Sequence, residues 1–366
     1  MLGMHDEATP QMNELGFYTL AGAPESPREL IDEVQAAESM GIGAAFISER
    51  FNIKEAATLS GAAGAISDRI GIATAATNHN TRHPMVSAAY AMTMHELTGG
   101  RFSLGLGRGI VRRDKAYGLA PITTAQMEDF VGVMRRIWAG ETVLGHDGPM
   151  GAYPALAMRG VDPTHIPMTL TAFGPNSLAL GGRCFDAVVL HTFFTDETTE
   201  RVVRTVKEAA EQAGRDPASV RVWSCFATIG DHLPEPVRLK KTVGRMSTYL
   251  QAYGDLMVRT NDWDPAVLER FRADEIVRSI PGAIDQIGTT EQLEHISTLL
   301  PEAWLAPAAT GSPAQCVDAV RGQFDLGCDG VILHGASPDD LEPIVDEYRR
   351  TRPEGVFDHL HANPAA

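Results

Sequence analysis

The sequence predicts an α/β protein: a closed (β/α)8, or TIM, barrel with a helical insertion ahead of its last strand-helix unit. Three observations predict it. Short β-branched or apolar runs alternate with amphipathic segments of helix length, and such units give parallel strands because the return crossover needs the helix. About eight strand segments can be counted along 366 residues, a length that single barrels with insertions reach. Finally, Phe185-Asp186-Ala187-Val188-Val189-Leu190-His191 resembles Cys328-Asp329-Gly330-Val331-Ile332-Leu333-His334. Both read as buried parallel strands closing in a histidine at the carboxyl end, where parallel barrels place their chemistry. The alternative is a generic strand pattern shared by chance.

In chain order, residues 16–20 read as the first strand. Ser26-Pro27-Arg28-Glu29 then offers an N-cap, a first-turn proline and a reciprocal glutamate, so a helix opens here. Its apolar residues Leu30, Ile31, Val34, Ala37 and Met40 keep helical spacing, and Gly41 stands where a left-handed terminal residue is wanted. A strand at 44–48, an alanine-rich helix at 55–66, a β-branched strand at 70–77 and a helix at 85–97 follow. The strand 102–106 runs through a glycine-rich loop to the helix 127–139, closed by Gly140. Gly145, Gly148, Pro149, Gly151 and Pro154 mark a loop-like excursion. Strands at 167–172, 187–190 and 220–229 alternate with helices from about 176 and over 196–213. From about 234 to 307 the pattern is mainly helical, which makes this the insertion. Ser312-Pro313-Ala314-Gln315 repeats the capping logic before a last strand at 330–333 and a helix at 341–349. The expected division is a flexible tail over 1–13, one barrel domain over 14–355 and a C-terminal tail over 356–366.

Composition narrows the function classes. A formal charge of -16 without a lysine- or arginine-rich run argues against nucleic acid and anionic membrane surfaces and leaves small-molecule chemistry. Cys184, Cys225, Cys316 and Cys328 show no C-x-x-C spacing and read as reduced thiols in cytoplasm. No uncharged apolar run reaches the roughly 18 residues that span a bilayer.

If the strand ends converge, the polar residues there define the site. They include Ser48, Glu49 and Arg50, then Asn78, His79, Asn80, Arg82 and His83. Arg108, Arg112 and Arg113 follow, then Asn176 and Ser177, and finally His191, Thr192 and His334. Gly105-Leu106-Gly107-Arg108-Gly109 invites a dinucleotide reading that fails on spacing, because Ile110 stands where the third glycine of G-x-G-x-x-G belongs. A close-packed strand end is the other reading. Phe173-Gly174-Pro175-Asn176-Ser177 lies between a strand and a helix, a place where free backbone N–H groups bind phosphate; Asn176 as an ordinary cap is the plainer alternative. His79 and His83 lie on a loop without the fixed facing of helical i, i+4 ligands and H-E-x-x-H is absent, so no metal is expected. Neither a G-x-S-x-G elbow nor a Walker pattern is present.

In their order, several of these stretches resemble the luciferase-like monooxygenase superfamily, in particular its coenzyme F420-dependent branch. They are Phe46-Ile47-Ser48-Glu49-Arg50, Thr77-Asn78 with Thr81-Arg82-His83-Pro84, Gly99-Gly100-Arg101-Phe102 with Leu104-Gly105-Leu106-Gly107, and Gly174-Pro175 with Gly182-Arg183 and Asp186. The closing Gly330-Val331-Ile332-Leu333-His334-Gly335 fits as well. The resemblance implies an eight-stranded barrel binding the deazaflavin F420, or FMN, at the strands' carboxyl ends, with hydride transfer as the shared chemistry. It places a bulge with a non-prolyl cis peptide at about Ala75-Ala76, behind the ring. Glu49 and Asn78 would line the ring, and Gly174, Pro175, Asn176 and Ser177 would hold the phosphate; Arg108 and His191 are expected in the cofactor site from their own strand-end places. Glu49 or His79 would assist proton transfer. Arg50 stands where relatives frequently have histidine, and Ile110 where F420-dependent sugar-phosphate dehydrogenases have an acid, which disfavours sugar-phosphate oxidation.

The expected function is thus F420-dependent hydride transfer to or from a small organic substrate, in a cytoplasmic homodimer. The alternatives are an FMN-dependent monooxygenase, supplied with reduced flavin by a separate reductase and using O2, and a non-catalytic flavin-binding relative.

Overall fold

A computed structural model describes residues 9–22, 24–51 and 53–366, with the side chain of Arg112 also outside the description. Eight parallel strands form the barrel: β1 Met12–Tyr18, β2 Ile42–Ile47, β3 Gly71–Thr74, β4 Phe102–Leu106, β5 Met168–Thr171, β6 Ala187–Val189, β7 Arg221–Gly230 and β8 Gly330–His334. Each pairs with the next, from Ala44 opposite Gly71 to Ala187 opposite Arg221 and Gly330 opposite Trp223. Pairing of β8 with β1, Val331 opposite Leu15, closes the ring.

The strand period of two sorts side chains into two cores. Leu15, Phe17, Ala45, Ile47, Val331 and Leu333 face outward to the helices, whereas Ala44, Phe46, Ala73, Ala187, Val189, Trp223, Cys225 and Ile332 fill the lumen. Phe46 and Trp223 meet edge-on in the lumen with ring centroids 5.1 Å apart. Two glycines make room for them. A Cβ on Gly16 would lie 2.6 Å from Phe46, and one on Gly330 would lie 2.5 Å from Trp223. The same inward phase carries Tyr18, His191 and His334 to the lumen's carboxyl end.

The region expected to be helical between β7 and β8 is so, with Arg245–Thr260 and Pro265–Ala273 its longest helices. It has its own apolar core, including Met246, Leu250, Met257, Phe271 and Trp304. The expected capping box at Ser312 and Gln315 forms, and Pro313 occupies the first turn. At Ser26 the cap is incomplete: Glu29 accepts from the Ser26 N–H at 2.8 Å, but the helix opens at Glu29 without a side-chain cap on its own N-cap residue.

Three expectations differ from the structure. The glycine- and proline-rich excursion is an antiparallel hairpin, Val143–Gly148 with Gly151–Leu156. Gly148 and Gly151 flank its turn, while its exposed face lacks the apolar alternation by which strands are read. Of the expected tail 1–13, residues 1–8 lie outside the described residues, and Met12 and Asn13 belong to β1. The expected C-terminal tail ends as the barrel's floor. Asn363 Nδ2 donates to the carbonyls of Gly100 and Phe102 at 2.7 and 2.8 Å, Trp223 Nε1 donates to Pro364 O at 2.7 Å, and Ala365 joins the lumen core. So short a stretch gives no periodic signal, and its docking rests on the Asn363 amide and the Trp223 indole. Among the described residues no helix is long and apolar enough to cross a membrane.

Candidate active site

The carboxyl end of β3 sets the site's rear wall. A cis peptide bond joins Ala75 and Ala76, at the expected place. Glu49 N–H donates to Ala76 O at 3.2 Å, Thr77 N–H to Gly105 O at 3.0 Å and Gly107 N–H to Thr77 O at 2.8 Å, so the ends of β2, β3 and β4 are stitched together. The glycine run after β4 is close packing. A Cβ on Gly105 would collide with Thr74 O, and one on Gly107 would lie 2.6 Å from Thr171 Oγ1 and 2.9 Å from Ala76 Cβ.

Glu49 is committed to an ion pair. Its carboxylate accepts from Arg82 Nη2 at 2.5 Å, from Thr77 Oγ1 at 2.7 Å and from Ala56 N–H at 3.3 Å, with the side chain 3% exposed. Arg82 also meets Glu55, whose carboxyl is lowered to about 2 by hydrogen bonds from Thr58 and Arg82 that outweigh burial. The arrangement clamps the loop after β3 onto the loop after β2. Asn78 accepts from the Thr81 N–H and hydroxyl at 3.1 and 2.7 Å, a local turn bond that leaves its amide nitrogen free of that turn. His79 lies against Phe130, ring centroids 5.2 Å apart, and burial, then Arg108, pushes its pKa down to about 4. Its Nδ1 is buried with no partner among the described residues. His83 caps the next helix, its Nδ1 accepting from Met85 N–H.

Arg108 joins two of the expected elements. Its Nε donates to Ser177 Oγ at 3.0 Å, Nη1 to Ile122 O at 2.9 Å and Nη2 to Thr124 Oγ1 at 2.5 Å. Ser177 sits in the first turn of the helix Pro175–Cys184, whose N-cap residue Gly174 provides no side-chain cap. Pro175 lacks an N–H, and Asn176 is exposed at the helix start rather than capping it. A half-buried guanidinium thus stands beside an uncapped helix start, both features attracting an anion. Burial lowers the Arg108 pKa from its ordinary value.

Across the mouth, His191 stacks on Phe173 with centroids 4.2 Å apart and planes at 7°, and Nδ1 donates to Thr192 O at 2.9 Å. Burial pushes its pKa down to about 4. Tyr249 and Tyr253 from the insertion pack edge-on against this ring at 4.8 and 5.7 Å. Arg50, by contrast, turns aside to donate to Gly22 O, and Arg113 lies over the Phe51 ring. Arg112 lies outside the described side chains.

Sequence reasoning missed the residues supplied by the insertion. Arg245, Tyr249 and Tyr253 recur at i, i+4 and i+8 on the helix Arg245–Thr260, a spacing that puts them on one face. That stripe was the available signal. Tyr18, inward at the end of β1, meets the His334 ring edge-on at 5.1 Å and was signalled by strand alternation alone.

The chain matches the sequence profile of a family described as luciferase-like monooxygenase over residues 11–330. A 5,10-methylenetetrahydromethanopterin reductase of Methanopyrus kandleri is 26% identical over 92% of this chain and 97% of that protein. A phthiodiolone/phenolphthiodiolone dimycocerosates ketoreductase of Mycobacterium tuberculosis is 27% identical over 83% and 80%. A similar reductase of Methanolobus tindarius is 29% identical, the match covering 52% of this chain and 59% of that protein. Among solved structures, a coenzyme F420-dependent tetrahydromethanopterin reductase from Methanopyrus kandleri superposes with a TM-score of 0.76 over 91% of this chain and 97% of that one, at 18% identity. The oxygenating constituent of 3,6-diketocamphane monooxygenase from Pseudomonas putida, in complex with FMN, superposes with a TM-score of 0.64 over 91% and 94%, at 20% identity.

Proposed function

The chain belongs to the luciferase-like monooxygenase family, and from that premise we propose that it is a coenzyme F420-dependent oxidoreductase that moves hydride to or from a small organic substrate. The observation that carries this reading is the extent of likeness to reductases: the Methanopyrus kandleri protein aligns over 92% of this chain, and a solved structure from that organism is an F420-dependent reductase.

The residues present fit such a cofactor. Arg108 and the uncapped helix start at Gly174, Pro175, Asn176 and Ser177 would hold its phosphate. The wall at Ala75 and Ala76, packed against Gly107 without room for a Cβ, would back the planar ring, with Asn78 at its edge. His191, stacked on Phe173 and with its pKa held down by burial, adds an aromatic surface at the same strand ends. A bound deazaflavin supplies two-electron hydride chemistry; the protein supplies orientation and exclusion of water. Glu49 contributes by fixing the β2 and β3 ends through Arg82 and Thr77, a positioning role rather than the proton-transfer role its place in the sequence suggested. His79, neutral with a free Nδ1, retains the chemistry to pass a proton.

The second reading, an FMN-dependent monooxygenase, is favoured by the FMN-complexed structural neighbour, since FMN carries a phosphate that the same helix start would hold. Thermal unfolding with each cofactor in excess separates the two. At a hundredfold excess over Kd a ligand stabilises by about 2.7 kcal/mol, so F420 raising Tm by several degrees while FMN does not supports the first reading. Protection by FMN alone supports the second.

A further inference from the structure

His334 ends β8 with its ring facing the lumen, and its hydrogen bonds determine its tautomer. Arg245 Nη1 and Tyr249 Oη each lie 3.0 Å from His334 Nε2. A guanidinium only donates, so Nε2 must present its lone pair, and the ring hydrogen belongs on Nδ1. Arg245 is itself ion-paired, its Nε 3.1 Å from Asp285 Oδ2 though outside hydrogen-bond alignment, with both side chains about nine-tenths buried. Asp285 in turn accepts from Thr248 Oγ1 at 2.8 Å. A proton on Nε2 would face that guanidinium. Burial first, then Arg245, His191, Arg50 and Lys241, hold the imidazole well below its ordinary pKa.

Nδ1 therefore carries a hydrogen, yet it is buried with no hydrogen-bond partner among the described residues. A buried donor without an acceptor is unfavourable and marks a place where an acceptor belongs. It lies at the carboxyl end of the barrel, under the insertion and on the face that carries His191 and the cofactor wall.

We propose that His334 Nδ1–H is the donor that receives the oxygen of a ketone or aldehyde substrate, with Arg245 as the positioning residue that fixes its tautomer. The proposal rests on the hydride-transfer reading above and adds a substrate class to it. In the reduction, hydride passes with its electron pair from the reduced deazaflavin to the carbonyl carbon. The C=O π pair moves onto oxygen, a proton from water completes the alcohol, and the ring N–H proton that the oxidised deazaflavin would release neutralises the hydroxide left behind. The deazaflavin is oxidised by two electrons and the carbonyl is reduced by two. His334 keeps its proton, since losing it would leave an imidazolate. Its hydrogen bond strengthens as negative charge grows on the oxygen, so it stabilises the transition state more than the ground state. A neutral imidazole can serve in this way where a nearby positive charge keeps it from protonating. A carboxylate or phosphate at this place is disfavoured because Arg245 is already paired with Asp285.

The test is 15N NMR of histidine-labelled protein, with the His334→Asn variant identifying the resonances. Cyclohexanone and acetophenone are the probes, with and without oxidised F420, and F420 binding is measured separately. The proposal expects a neutral Nδ1–H tautomer at neutral pH, retained in Tyr249→Phe because Arg245 still points at Nε2, and lost in Arg245→Leu. It also expects either ketone to shift the Nδ1 signal. His334→Asn, whose amide nitrogen stands near the place of Nδ1, should bind the responding ketone within about threefold of the parent. His334→Leu should lose about tenfold. A protonated His334, an Nε2–H tautomer, or silence of Nδ1 toward both ketones in a protein that binds F420 overturns the proposal and leaves the F420 reading standing. Failure to bind F420 overturns that reading first, while the cofactor-free ketone titration still reports on His334.

Discussion

Replacing Arg108 by alanine should weaken F420 binding without altering binding of the phosphate-free deazaflavin riboside. The guanidinium, just past the end of β4, donates to Ile122 O, Thr124 Oγ1 and Ser177 Oγ through bonds of 2.9, 2.5 and 3.0 Å. Only the last faces the helix start, so one charge-assisted contact to a phosphate is at stake. Such a bond contributes about 1.5–3 kcal/mol, which corresponds to about a ten- to hundredfold rise in Kd. Arg108→Lys keeps the charge but not the planar fork, and should recover part of the loss. Fluorescence titration of parent and variants with F420 and with the riboside measures all of this. Equal losses for both ligands would mean that Arg108 merely supports the fold, and no loss for F420 would place the phosphate elsewhere.

Other expectations follow from the clamp, the floor and the buried histidines. Glu49→Ala leaves Arg82 without its buried partner and should cost about 3–5 kcal/mol in urea unfolding; an unchanged midpoint would contradict the clamp. Asn363→Ala strips donors from two carbonyls of the floor, and should lower stability by about 1–3 kcal/mol. Normal stability after this change would show that the last residues do not hold the barrel closed. His79 has a folded pKa of about 4, below its ordinary 6.5, so the unfolded chain binds the proton more tightly. Its contribution is complete above about pH 6.5 and is lost as pH falls through that value toward 4. His79→Phe, which keeps an aromatic ring against Phe130, should flatten this acid limb of the stability profile; a limb of unchanged slope would refute the assignment.

The barrel was legible because its strands are buried on both faces and its helices carry strong periodicity. The repeat ending in His191 and His334 reflects a shared inward phase, so the strand pattern located both rings. Arg108 and Ser177 were each singled out from separate stretches, and the structure adds the 3.0 Å bond between them. The partner of Glu49 was harder to read. Arg82 stood among the strand-end residues, but the pairing depends on how two loops fold back, which local pattern does not encode. Arg245 and Tyr249 carry a one-face spacing, but that stripe does not tie them to the mouth, which they reach only because the insertion closes over it. The C-terminal floor was hidden by its length, since a few residues docked through one asparagine and one indole leave no periodic trace.

Equilibrium titration of the purified protein with F420 and FMN in parallel, followed by fluorescence, tests the central claim most directly. The account predicts saturable binding of F420 at least tenfold tighter than FMN, weakened by Arg108→Ala. Tighter binding of FMN, or binding of neither, would contradict it.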